Sequence, residues 1–291
     1  MNEPLSLKML RLLRRAKSLL SREACRRIAQ YVASQATPHG LFTDKCGGED
    51  IYYTAFGWML SYLFGVGIPA GAARRRLQNM PAVTGDLVRD AAYARSTMLL
   101  DLMSGNAARL FLNAAMAGRN AAIPVFSVFP HHDCRSPYSQ FVRLSLAEDL
   151  RREVEDKHRI ASALEAYRVP TGGGYSNLPG GAAASVSATA AALSVRGQLE
   201  GYVPVADTDY LYRVQDASGG FFAAEGAAAP DMLSTAVALF ALHNCGRPPR
   251  VHPAPFVEAH WLESGSFAST LFDETGDVEY TFYGLLALGT C

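Results

Sequence analysis

A unit of 46 residues recurs in the C-terminal half of the chain and restricts the folds open to it. Three segments align without gaps, over residues 174–193, 220–239 and 266–285. Each segment has Gly or Ser followed by an aromatic residue, then a loop of small residues, and then the start of a helix. Every copy carries a threonine at the helix start, namely Thr189, Thr235 and Thr281. A period of this length predicts a fold of stacked supersecondary units.

The N-terminal half keeps the pattern more loosely. Thr54 has the same helical context, with Asp50 four residues before it. Two periods back from Thr189 lies Thr97, which we assign to an equivalent helix, and the intermediate step near Arg143 has lost the signature residues. These positions give six units, with residues 104–160 as a divergent middle region.

Shorter helical patterns alternate with the repeat helices, over residues 21–35, 70–80, 158–169, 207–215 and 255–263. The repeat helices are apolar nearly all round and rich in Ala, Gly and Thr, so we expect them to be buried on most sides. The helices between them are more polar, which suits an outer layer. The sequence therefore predicts an all-α fold, an (α/α)6 toroid in which residues 1–291 form one domain. A linear solenoid fits the same period, but six units suit closure.

Charge and cysteine content exclude several classes of function. The basic and acidic residues number 27 each, so the whole chain lacks the basic footprint of a nucleic-acid-binding protein. The 5 cysteines are scattered without a CxxC pair, which indicates free thiols in a reducing compartment and hence a cytoplasmic protein. No apolar run reaches the roughly 18 residues that a membrane span needs.

Residues 1–20 have the pattern of an amphipathic helix. One face carries the apolar residues Leu5, Met9, Leu12, Ala16 and Leu19, and basic residues occupy the remaining faces. Two arrangements fit this pattern. The helix packs on the body of the protein as an outer helix, or it lies on an anionic membrane surface and gives peripheral membrane contact.

The repeat resembles that of prenyltransferase β subunits, squalene cyclases and other class II terpene cyclases. The resemblance rests on the Gly-aromatic loop, on the helix start D-x-x-x-T-A-x-A-L and on the Gln-plus-aromatic motif of residues 212–222. It covers residues 165–291 clearly and residues 22–65 more loosely. It implies a barrel with a deep, aromatic-lined cavity, and helix starts that open at one end as a positive mouth. An isoprenoid diphosphate, with Mg²⁺, would bind at that mouth with its apolar tail in the cavity.

Zinc-dependent prenyl transfer is the first activity that the resemblance implies. In those enzymes an Asp-x-Cys at one helix start, and a His before the Thr of a later one, hold the zinc. Here Asp231 keeps the aspartate position, but Leu233 replaces the cysteine and Tyr280 replaces the histidine. One ligand cannot hold the metal, so we expect no zinc. The run of ligand types at residues 131–134 has no second cluster beside it, and we predict no metal there either.

Acid-initiated cyclisation is the second activity that the resemblance implies. Class II cyclases protonate an alkene or epoxide with the middle Asp of a D-x-D-D-T-A helix start, which requires a raised pKa and a dry pocket. The chain reads DVEYTF at residues 277–282, so Glu279 has the acid position and Asp277 and Tyr280 are its expected hydrogen-bond partners. We predict these three as the catalytic group. An acid in a first turn is also favoured by the helix dipole alone, and that alternative stays open.

The predicted substrate-binding residues surround this group and the mouth: Asp50, Tyr53, Phe56, Trp58, Asp231, Phe282 and Tyr283. Aromatic faces stabilise carbocations, although such residues are also ordinary core, and Ser185, Asp231 and Asp277 suit N-caps. In a separate acidic pair, either Asp207 or Asp209 is interpreted as a helix cap.

Together these features predict a protein that holds an isoprenoid or other apolar small molecule, with cyclase-like or prenyltransferase-like chemistry. The alternative is a non-catalytic barrel that has lost its zinc and acidic motifs. Such a barrel would bind a lipid or a protein partner subunit.

Overall fold

The computed structural model describes residues 3–82, 84–105, 135–149 and 157–291. The run of ligand types at residues 131–134 lies outside these ranges, as does much of the divergent middle region 104–160. The helices within them are α1 Leu5–Leu19, α2 Arg22–Ser34, α3 Ile51–Phe64, α4 Ala70–Gln78, α5 Leu87–Met103, α6 Pro137–Asp149, α7 Lys157–Leu164, α8 Val186–Glu200, α9 Val205–Arg213, α10 Met232–Asn244, α11 Ala254–Ala259 and α12 Val278–Leu288. The all-α class is confirmed.

Sheet structure in the described ranges is confined to two short hairpins. Strand β1 (Phe42–Thr43) pairs antiparallel with β2 (Glu49–Asp50), and β3 (Phe221–Phe222) pairs antiparallel with β4 (Pro230–Asp231). Each hairpin ends where a helix begins, so it fixes the entry of the chain into α3 or α10.

Six helices, which we call the core helices, contact one another in a closed order. Helix α3 packs on α5, α5 on α6, α6 on α8, α8 on α10, α10 on α12, and α12 on α3. The remaining helices pack on these: α2 on α3, α4 on α5, α7 and α9 on α8, and α11 on α12. The more apolar helices are therefore surrounded on most sides, as their composition predicts.

The repeat threonines hold the loop that precedes each helix. In four units the buried hydroxyl oxygen accepts a hydrogen bond from the backbone N–H of the buried repeat aromatic. The pairs are Phe42 to Thr54 at 3.0 Å, Tyr175 to Thr189 at 2.9 Å, Phe221 to Thr235 at 2.8 Å, and Phe267 to Thr281 at 3.3 Å. A buried N–H without an acceptor costs free energy, so this bond explains why aromatic and threonine recur together.

The aromatic ring then packs on a small residue one turn after the threonine. A Cβ atom on Gly57 would lie 2.3 Å from the Phe42 ring, and one on Gly284 would lie 2.4 Å from the Phe267 ring. The two intervening units tolerate alanine at this position, as Ala192 and Ala238. Small residues in the core helices thus provide the space that the loop aromatics occupy.

The helix caps expected at Ser185, Asp231 and Asp277 are confirmed, and Asp50, which we predicted as a substrate-binding residue, is a fourth cap. The Asp50 carboxylate accepts from Tyr53 N at 2.9 Å, and those of Asp231 and Asp277 accept from the N–H three residues on at 2.7 Å. Ser185 Oγ accepts from Ala188 N at 3.2 Å. Each cap satisfies an N–H that has no partner within its own helix.

The assignment of Thr97 to an equivalent helix start is wrong. Helix α5 exists, but it begins at Leu87 after the N-cap Asp86, so Thr97 lies mid-helix and its hydroxyl donates to Tyr93 O at 3.0 Å. The position four residues after the cap is held by the buried Asp90, which accepts from Thr84 N at 3.0 Å. A carboxylate therefore anchors the preceding loop here, and the period of 46 residues does not extend to this unit.

The Gln-plus-aromatic motif joins one repeat to the next. Gln215 Nε2 donates to Val251 O at 2.8 Å, and its Oε1 accepts from Arg250 N at 2.8 Å. The side-chain amide thus pairs with the backbone of the connection that follows α10. Because it uses both its donor and its acceptor, it fixes this connection against the end of α9.

The interpretation of Asp207 as a cap is also wrong. Pro204 occupies the N-cap of α9, and Asp207 lies fully buried in the first turn. Both of its carboxylate oxygens accept from the guanidinium of Arg168, and Tyr175 Oη donates to it at 3.1 Å. A paired and hydrogen-bonded charge is the form in which a carboxylate is tolerated in a protein interior.

Helix α1 packs on the body of the protein. Leu5, Leu12 and Ala16 of its predicted apolar face are buried, whereas Leu19 is exposed. Its polar groups bond to the C-terminal ends of core helices: Leu5 N to Glu148 Oε2 at 2.9 Å, Lys8 Nζ to Gln198 Oε1 at 2.9 Å, Arg15 Nη1 to Gly289 O at 3.2 Å, and Lys17 Nζ to Leu63 O at 2.6 Å. Helix α1 therefore lies across that end of the core. Its contact with a membrane stays a prediction.

Over the described ranges, none of the helices combines the length and the apolar character needed to cross a bilayer.

Replacement of Thr235 by Val tests the loop anchor. The variant keeps the side-chain shape but leaves the buried Phe221 N–H without an acceptor, so we expect a loss of about 1–3 kcal/mol in the free energy of unfolding. The matched control is Thr97→Val, because that hydroxyl only donates to a carbonyl of its own helix, and about 0.5 kcal/mol or less is expected. Urea unfolding measures both, and equal losses would contradict the proposed role of the repeat threonine.

Candidate active site

Most of the predicted site residues meet where α3 and α12 pack together. The ring centroids of Phe56 and Phe282 are 5.1 Å apart, and those of Phe56 and Tyr283 are 5.7 Å apart. Tyr52 stands edge-on to Phe56 at 5.0 Å and to Tyr53 at 5.9 Å. We call these five residues the aromatic cluster. Its edge-to-face and tilted contacts are the favourable geometries for aromatic pairs.

Glu279 lies against this cluster and is only 8% exposed. Tyr52 Oη donates a hydrogen bond of 2.6 Å to Glu279 Oε1. Burial raises the pKa of Glu279 and the charge of Asp277 raises it further, while the Tyr52 hydrogen bond and Lys45 act in the opposite direction. Desolvation dominates, so the carboxyl keeps its proton to a higher pH than an exposed glutamate does.

The hydrogen-bond partner expected for Glu279 differs from the one in the structure. We expected Asp277 and Tyr280, but the Asp277 carboxylate accepts from Tyr280 N at 2.7 Å as the cap of α12. Lys45 Nζ lies 3.5 Å from Asp277 Oδ2 and 4.9 Å from the centroid of the Tyr280 ring. Asp277 is therefore occupied by its own helix and by Lys45, and Tyr52 takes the role of partner.

Burial also raises the pKa of the groups beside Glu279. It raises the pKa of Asp277, which Lys45 and the helix N–H groups counter. It raises the pKa of Tyr280 to about 12, with smaller contributions from Glu279 and Asp277. The phenols of this region consequently stay protonated at neutral pH and act as hydrogen-bond donors.

Tyr138 is a further member of the site that the sequence analysis missed. It lies on α6, which packs between α5 and α8, yet Glu279 on α12 raises its pKa in addition to burial. Ser136, two residues before it, caps the helix by accepting from Ser139 N at 3.2 Å. Tyr138 thus lies two residues after a cap, as Tyr52 and Glu279 do. This spacing is the signal that could have identified it.

The other predicted substrate-binding residues occupy different places. Asp50 caps α3, and its charge contributes to the raised pKa of Glu279. Asp231 caps α10, where it also accepts from Ser234 Oγ at 2.7 Å. Trp58 is fully buried and donates from Nε1 to Gly40 O at 2.7 Å, so it anchors the loop before β1 and lies apart from the aromatic cluster.

The residues present do not fit a zinc site. Leu233 and Tyr280 occupy the positions of two ligands, and neither supplies a thiolate or an imidazole. Within the four described ranges, no three or more His, Cys, Asp or Glu side chains come together in a way that could hold a metal ion.

No model of a known protein family matches the chain, and a search of curated proteins found no match.

Removal of the Glu279 carboxyl should change how stability depends on pH. Because the folded-state pKa of Glu279 is raised, its protonated form favours folding below the ordinary glutamate pKa of about 4.3, and this contribution is lost as the pH rises through the folded-state value. In Glu279→Gln that loss disappears. We therefore expect the free energy of unfolding of the variant, relative to that of the wild type, to increase as the pH rises from acid to neutral.

The measurement is urea unfolding of both proteins across that pH range. Glu258→Gln, which changes an exposed glutamate, serves as the control and should follow the wild type. A smaller decline remains in Glu279→Gln because Asp277 also has a raised pKa. Parallel curves for the wild type and Glu279→Gln would refute the assignment.

Proposed function

We propose that this protein is an (α/α)6 toroid of the prenyltransferase and terpene-cyclase type that binds an isoprenoid and cyclises it by protonation. Three features support the toroid: the closed order of the core helices, the outer helices packed on them, and the loop–helix unit repeated along the chain. The charge of Glu279 also raises the pKa of Tyr138, which supports the toroid further because it indicates that side chains of α6 and α12 face a shared interior.

The observation that carries the chemistry is a buried carboxylic acid with a raised pKa among aromatic rings. Such an acid still carries its proton at a pH where an exposed glutamate has lost it, so it is available as a general acid in a place where water does not compete for the proton. Tyr52 donates to Oε1, which leaves Oε2 as the oxygen that bears the proton. After proton transfer the same hydrogen bond stabilises the carboxylate.

The proposed step transfers the Glu279 proton to one carbon of a substrate double bond. The π electron pair forms the new C–H bond, and the other carbon becomes a carbocation that a second double bond of the substrate attacks to close a ring. The faces of Phe56, Phe282 and Tyr283 stabilise the cation by cation–π attraction, worth about 0.5–2 kcal/mol for each contact. Loss of a proton from the cyclised cation restores a neutral product, and the carboxylate regains its proton.

The second candidate is a binding protein without catalysis. It is favoured by the direct contacts among the rings of the aromatic cluster, which resemble those of an ordinary apolar core, and by Leu233 at the acid position of α10. In this alternative the barrel carries a lipid or pairs with a partner subunit. Native mass spectrometry of the purified protein distinguishes the two, since a retained lipid or a stoichiometric second chain is expected only for a carrier or a subunit.

Ligand class is tested by thermal shift with farnesyl diphosphate, geranylgeranyl diphosphate and squalene, each with and without Mg²⁺ or Zn²⁺. A ligand at one hundred times its dissociation constant stabilises the folded state by about 2.7 kcal/mol, which is easily measured. A shift with one of these compounds is expected. If none stabilises the protein, the proposal of an isoprenoid ligand fails.

Catalysis is tested by product analysis with the compound that stabilises the protein. We expect Glu279→Gln to lower turnover by about 10²- to 10⁴-fold while ligand binding is kept, because the amide cannot donate the initiating proton. Tyr52→Phe should lower turnover less, and the exposed Glu258→Gln should retain it. Full activity in Glu279→Gln would remove this residue from the mechanism.

A further inference from the structure

A cleft of about 320 Å³ lies between α1 and the C-terminal end of α10. It is lined by Lys8, Arg11, Leu12, Arg15, His243 and Asn244. The three basic residues of α1 are spaced three and four residues apart, so they share one face of that helix. All the permanently charged side chains that line the cleft are therefore cations.

The contacts of these cations leave the cleft positive. Lys8 donates to the neutral amide oxygen of Gln198, and Arg15 donates to the backbone oxygen of Gly289. Arg11 forms an ion pair with Glu3, and its side chain remains 66% exposed. Glu3 thus pairs with one of these three cations, and Glu148 lies nearby, since it accepts from Nε2 of the same Gln198. The carbonyl ends of α10 and α12 offset only part of the remaining charge.

Two side chains of α10, His243 and Asn244, lie in this positive environment. Burial lowers the pKa of His243, and Arg15, Arg11 and Lys8 each lower it further, as expected for an imidazole in a positive field. Asn244 Nδ2 is a buried donor without a hydrogen-bond acceptor in the part of the chain that the structure describes. An oxyanion in the cleft would supply that acceptor and would neutralise the cations.

We propose that this cleft is a binding site for a phosphate-bearing ligand. Two arginines can each present a planar pair of N–H groups to phosphate oxygens, and Lys8 and Asn244 add single donors. The volume exceeds that of one phosphate and lies at the lower end of small-molecule sites, which fits a diphosphate, a phosphorylated metabolite or a phospholipid headgroup. The site is independent of the proposed cyclisation, because Glu279 lies in the first turn of α12 and the cleft lies at the last turn of α10.

Isothermal titration of the full chain with inorganic pyrophosphate tests the site. We expect binding by the wild type and a loss of about tenfold or more in affinity for Arg11→Gln. Glu3→Gln should tighten binding, because it releases Arg11 from its ion pair. The matched control is Arg26→Gln: Arg26 is 65% exposed and paired with Glu23 on α2, so affinity should not change.

A parallel titration with vesicles of phosphatidylcholine, with and without phosphatidic acid, separates the sources of phosphate. Binding of pyrophosphate assigns a soluble ligand, and binding only to the acidic vesicles, weakened by Arg11→Gln, assigns a lipid headgroup. Absence of binding in both arms overturns the proposal. Loss of pyrophosphate binding in Lys45→Gln but not in Arg11→Gln also overturns it, since the anion would then bind beside Asp277.

Discussion

The hydrogen bond from the repeat aromatic to the repeat threonine is the interaction on which the rest of the structure depends. It ties the loop to the first turn of a core helix, and it lets the aromatic ring reach a small residue on the next turn, as Phe42 does at Gly57. The ring fills the space between the loop and the helix. This packing fixes where the capping residue lies relative to the helix. Each unit is thereby held together by contacts of its own, in addition to those it makes with its neighbours.

The candidate site follows from these local contacts. Once Asp277 and Asp50 are fixed as caps, the residues two positions later are fixed as well, and these are Glu279 and Tyr52. Their hydrogen bond joins the last core helix to the first. The packing of α3 on α12 around this bond completes the closed order of the helices and desolvates the acid, although the hydrogen bond itself lowers the pKa of Glu279. The burial that accompanies the packing of α3 on α12 therefore both stabilises this junction and raises the pKa of Glu279.

The sequence predicted the helices and the caps Ser185, Asp231 and Asp277 from spacing within one unit, and it grouped Glu279 with Phe56, Phe282 and Tyr283 from their equivalent places in different units. It failed where one unit performs the same task with different residues. Thr97 was misplaced because Asp90 performs the same task with different chemistry, and Trp58 was grouped with the site although it faces Gly40. Tyr52 and Tyr138 were missed as partners of Glu279 because they lie on separate helices, where their common position two residues after a cap is the spacing that relates them.

Helix α1 shows why an amphipathic pattern alone could not decide between a membrane and a protein surface. Both surfaces require an apolar stripe and flanking cations. The ends of the core helices present carbonyl groups and the negative ends of helix dipoles, as an anionic membrane presents phosphates. Lys17 and Arg15 bond to such carbonyls at Leu63 and Gly289. Arg11 of the same helix pairs instead with Glu3, and its side chain stays 66% exposed. It can therefore contact an anion that binds from solution.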